Sequence, residues 1–132
     1  MIDQIYINES IRIREEYLDN LLYIANEEEY ITGLSKDLQT LNDEISESEK
    51  KDEKYYRDAL FEVELMIRKA TEKITPYYDK IKELDKKQRN LYNTIKDKYP
   101  DVTDEQMQKE IIPHILEVDM KYKAKHGNIL NN

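Results

Sequence analysis

Residues 60–95 read LFEVELMIRKATEKITPYYDKIKELDKKQRNLYNTI. Their apolar or near-apolar positions, Leu60, Val63, Ile67, Ala70, Ile74, Tyr77, Ile81, Leu84, Leu91 and Ile95, recur in alternating steps of three and four, with Gln88 taking the one polar turn. A seam of that period, sustained for about five heptads, belongs to a long helix whose narrow stripe packs on another helix. The expected fold is therefore all-α: an elongated helical hairpin or coiled coil with a shorter C-terminal helix. The same seam residues, with Tyr78 beside Tyr77, are the candidate protein interface.

Composition supports the helical reading. Charged residues make up 38% of the chain, while two Gly and three Pro leave few natural breaks. The hydrophobic class, 39%, includes eleven Tyr but one Phe and no Trp, so the core should be thin and amphipathic. A thin core leaves stability to be gained from a protein partner or from copies of the same chain, and a homo-oligomer is expected.

Several function classes are disfavoured. Twenty-nine acids against twenty-one Lys and Arg give a net charge of −8, which opposes binding to nucleic acid or anionic lipid through counterion release. Without Cys there is no disulfide framework, thiolate nucleophile or Cys-based zinc site. The opening MIDQIYINES has neither a basic segment nor a long apolar one, and no apolar run approaches the length of a membrane span. An intracellular (cytoplasmic) or virion location without membrane contact is the expectation. Abundant Ile, Lys, Asn and Tyr with only four Ala match AT-rich coding DNA, as in many phages and low-GC bacteria.

Along the chain, IDQIYI and SIRIR alternate apolar with polar residues over a few positions, and Ser10 has the chemistry of a helix N-cap. An extended arm over residues 1–8 followed by a helix from residue 9 is expected. The apolar series changes phase at Gly33, where a kink or break over residues 32–35 would relieve the mismatch. Residues 46–54, SESEKKDEK, are the least apolar central stretch, and Ser46 with Glu49 has capping-box spacing. The hairpin turn is accordingly placed near residues 46–48, within a hairpin spanning residues 9–99. Pro76 predicts a kink that the heptad phase nevertheless crosses.

Tyr99-Pro100-Asp101 is a stop, since the residue before Pro is pushed out of helical geometry. Thr103 with Gln106 forms a second capping-box pattern, and Asp104 and Glu105 suit a helix start, so a C-terminal helix is expected within residues 101–126. Its apolar positions between Ile111 and Val118 spread round more than half the helix. Gly127 is a credible terminator, followed by a tail at residues 127–132.

Candidate chemistry is sparse. Glu110, His114 and Glu117 could share one helix face, but a di-iron bundle needs paired Glu-x-x-His motifs that this chain lacks. No phosphate loop or Ca²⁺ loop is present. No catalytic residue, metal site or cofactor is expected, and the chain is read as a non-enzyme. Charge is uneven: residues 1–31 carry eight acids and two bases, residues 76–98 four acids and seven bases.

The leading reading is a non-enzymatic assembly or adaptor protein making protein contacts through its heptad seam, with a phage or other viral structural or accessory component as one form of it. One alternative is an acidic inhibitor that occupies a basic, nucleic-acid-binding surface of a host enzyme. Another is a nucleic-acid accessory protein using the basic stretch over residues 80–98.

Overall fold

The computed structural model describes residues 2–47 and 53–127. The fold is all-α, a helical hairpin of two long helices followed by a shorter third: α1 (Gln4–Glu47), α2 (Glu53–Lys98) and α3 (Asp104–His126). No strand forms among the described residues.

The N-terminal arm is a correction, because α1 begins at Gln4. Asp3 caps it: its carboxylate accepts from the Ile5 N–H at 3.2 Å and its carbonyl from the Tyr6 N–H at 3.1 Å. On a helix Ile5 and Ile7 point to opposite sides, and they are 67% and 7% exposed. The apparent strand alternation was a coincidence of helical spacing. Ser10 is likewise no cap. It is fully buried, and its hydroxyl accepts from Gln88 Nε2 at 3.0 Å.

The helix also runs unbroken through Gly33. Thr32 and Ser35 donate their hydroxyls back to the carbonyls of Glu28 and Ile31, each at 2.9 Å, and Leu34 is buried. Tertiary burial next to the glycine outweighs its cost of about 1 kcal/mol in a helix. Ser46 lies inside α1 and bonds back to the Asn42 carbonyl, so it does not begin a new helix. Glu47 is helical too, so the expected turn does not begin at residue 46, while residue 48 and the proposed partner Glu49 lie outside the described residues. α2 passes through Pro76 as one helix, and α3 contains Pro113.

The end of α2 and the start of α3 follow the sequence closely. α2 stops at Lys98, Val102 N–H closes a turn onto the Tyr99 carbonyl, and Thr103 and Gln106 exchange both capping-box hydrogen bonds at 3.1 Å. Gly127, at φ 79°, closes α3 by donating to the Lys123 carbonyl.

Two compact units divide the described residues. The first, up to Leu22 and from Tyr77 onward, is a three-helix unit. Ile2, Ile7, Ile95, Met107 and Ile111 form its buried cluster, flanked by Tyr6, Leu91, Tyr99 and Ile115. Tyr6 and Tyr99 meet edge to face at 6.3 Å, and the Lys98 ammonium lies over both rings. The second unit, Tyr23–Pro76, is a pair of helices in which Ile24, Leu34, Ala70 and Ile74 are buried. With a single neighbour, each helix there covers one stripe, and Leu60, Val63 and Ile67 stay half-buried.

Candidate functional site

Three helices meeting side by side leave seams between them, and in the three-helix unit one seam stays open. It is a cleft of about 230 Å³. Ile13 and Tyr17 come from α1, Leu84 and Tyr92 from α2, and Met107, Ile111, Ile112 and Ile115 from α3. The polar residues of its rim are Arg14, Asp85, Gln88 and Gln108. Three of the groups that line it are already engaged. Arg14 holds Asp119, Gln88 donates to Ser10, and the Tyr92 hydroxyl donates to Asp104 at 2.8 Å. Lys96, 2.6 Å from the same carboxylate, and then Tyr92 hold Asp104 below the usual carboxylate range. The cleft is smaller than the roughly 300–1,000 Å³ of typical small-molecule sites, and suits one or two apolar side chains of a partner helix.

The apolar surface continues from the cleft onto the outside of α3. Ile112, on the rim, is followed at four-residue steps by Leu116 and Met120, and the three are 46%, 55% and 70% exposed. They form a stripe about two helical turns long.

The seam of α2 is placed differently from the free contact ribbon expected of it. Leu84 and Ile95 are buried in the three-helix unit and Ile74 in the two-helix unit. Tyr77, Ile81 and Leu91, like Leu60, Val63 and Ile67, are half-buried, and Tyr78 is exposed. Ile74 and Ile95 are thus inaccessible to a partner while the chain holds this fold, and Leu84 is buried at the wall of the cleft and not on a free ribbon, which corrects the expectation for these three. The physical reason is that packing within the chain already covers much of the stripe.

The remaining candidates are dispersed. Glu110 accepts from the Ile2 N–H at 3.0 Å and Glu117 lies 3.8 Å from Lys121, so both carboxylates flanking His114 have other partners. No cluster of three or more His, Cys, Asp or Glu side chains suited to a metal ion occurs among the described residues. Tyr55 and Tyr56 stack edge to face at 5.3 Å, with Tyr55 exposed. On α2, Lys82, Lys86 and Arg89 occupy one exposed face and make no ion pair among the described residues. No described helix is long and apolar enough to cross a membrane.

Sequence reasoning missed the stripe of Ile112, Leu116 and Met120 as a site. The signal was present in the apolar residues spread round α3, because a helix that is greasy on two sides needs two covers. Comparison with protein-family models, curated proteins and solved structures found no match for this chain.

Proposed function

We propose that this chain is a non-enzymatic helical contact module, an assembly or adaptor protein that works by binding another protein surface. The observation that carries the reading is the exposed stripe of Ile112, Leu116 and Met120 running out of an apolar cleft. Clustered apolar surface beside a side-chain-sized recess is the form of a helix-docking site. The contact is thereby assigned to α3 and the cleft, with the exposed Tyr78 of α2 as a separate anchor. The AT-rich residue usage is compatible with a phage or other viral source and equally with a low-GC bacterium. The test is capture of protein partners by the immobilised chain, compared with Leu116→Asp. The variant should keep its helical circular dichroism and lose its partner, and equal capture by both would overturn the assignment.

A second reading rests on Lys82, Lys86 and Arg89, which make no ion pair among the described residues and whose i, i+4, i+7 spacing presents a basic stripe to an acidic partner or nucleic acid. A mobility shift with single-stranded DNA at low salt, lost on charge reversal at these three positions, tests it. No shift at all removes it.

A further inference from the structure

The outer face of α3 carries a pattern that names its own partner. Glu105, Lys109, Ile112, Leu116, Asp119 and Lys123 follow one another in steps of 4, 3, 4, 3 and 4, a heptad series whose members other than Asp119 are exposed, away from the buried Met107, Ile111 and Val118, with Asp119 at its edge turned to Arg14 of α1. Read backwards, the series places a base wherever the forward reading has an acid and an apolar residue wherever it has one. An antiparallel copy therefore sets Glu105 opposite Lys123, Lys109 opposite Asp119, and Ile112 opposite Leu116, with the two-fold axis level with His114. A parallel copy sets each residue against itself and brings like charges together.

From this we infer that α3 pairs antiparallel with α3 of a second copy, a conclusion that rests on the contact-module reading and names the partner. An isologous contact repeats each pairing twice, so small preferences count double. The acidic first turn, Asp104 and Glu105, then lies beside the basic last turn, Lys123, Lys125 and His126, of the other copy, and the helix dipoles oppose.

Existing contacts agree with this arrangement to different degrees. Glu105 lies 3.5 Å from Lys109 in its own helix, an exposed pair weak enough to re-pair across an interface. Lys123 makes no ion pair among the described residues. Asp119 is already gripped by Arg14, so Lys109 gains least. The centre is Ile112 and Leu116, both exposed in the single chain, with Met120 at the flank.

The absence of Cys from the 132 residues makes the direction testable in this chain as it stands. Glu105→Cys and Lys123→Cys chains are mixed and oxidised. The antiparallel pair gives the mixed disulfide dimer in excess of either same-position dimer. A same-position excess, or no cross-link, overturns the inference. As a second measurement, sedimentation should show Glu105→Lys weakening the dimer on the order of tenfold and Glu105→Lys with Lys123→Glu in one chain restoring it. Failure of the double swap to restore it counts against the pairing. A dimer that persists without the mixed cross-link, or a monomer that still captures another protein through the cleft, overturns the α3 pairing alone. A monomer whose captures ignore Leu116→Asp overturns the contact-module reading as well.

Discussion

Arg14 on α1 grips Asp119 on α3 at two points, Nε to Oδ1 at 2.7 Å and Nη2 to Oδ2 at 3.0 Å. Both side chains are half-buried, and the Arg14 guanidinium also lies over the Tyr17 ring at 5.2 Å. The fork ties the rim of the cleft to α3. Arg14→Lys keeps the charge but cannot form two parallel contacts or stack in the same way, and should cost about 1 kcal/mol. Asp119→Ala strands the guanidinium and should cost about 2 kcal/mol, between the values for exposed and buried pairs. Urea unfolding followed by circular dichroism distinguishes the two. Equal and negligible losses would mean that the fork is a surface ion pair.

Gln88, the one polar residue in the α2 seam, has its explanation in Ser10. The amide donates to a hydroxyl that is fully buried. Removing the hydroxyl by Ser10→Ala leaves the amide without that partner and should cost about 1 kcal/mol. Adding Gln88→Leu to it replaces both polar groups with apolar ones and should recover most of the loss. A double-mutant cycle checks this, with a coupling near zero as the contrary result.

That pair also shows what the sequence could and could not disclose. The heptad series from Leu60 to Ile95 and the Thr103–Gln106 box are local patterns, and they marked the long second helix and the start of α3 directly. Three features depended on partners distant in the chain. Ser10 reads as a cap until Gln88 is placed beside it. Gly33 reads as a break until the burial of Leu34 is known. Leu84 and Ile95 read as free interface until α1 and α3 are seen to cover the seam in the three-helix unit. The stripe of Ile112, Leu116 and Met120 became visible only once Met107, Ile111 and Val118 were assigned to the inner side.

Tyr122 gives the fold a dependence on alkaline pH. Its hydroxyl donates to Asp19 at 2.6 Å and to the Glu15 carbonyl at 3.3 Å. Burial first, and then the bond to Asp19, push the phenol well above its ordinary value. A group whose folded value is raised contributes stability that is complete below the unfolded value, about 10 for Tyr, and is lost as pH rises from there towards the folded value. Unfolding measured at pH 8 and pH 11 should show a larger loss for the native chain than for Tyr122→Phe. At pH 8 the variant itself should be weaker by about 1 kcal/mol through the missing hydrogen bond. Parallel losses in both proteins at pH 11 would place the alkaline sensitivity elsewhere.

The core is unevenly distributed along α2, and equal truncations at its two ends should reveal it. Ile95 is fully buried against Ile7, Met107 and Ile111, with three helices closing round it. Leu60 has one opposing helix and remains half-buried. Ile95→Ala removes buried methylenes and leaves a cavity, for a cost of about 3 kcal/mol. Leu60→Ala removes side-chain surface that water already reaches, for a cost of about 1 kcal/mol. Hydrogen exchange on the native chain should follow the same order, with backbone amides around residue 60 opening at lower free energy than those around residue 95. If Leu60→Ala costs as much as Ile95→Ala, the two-helix unit must bury that side chain in solution, and a second copy covering it would then be the explanation to pursue.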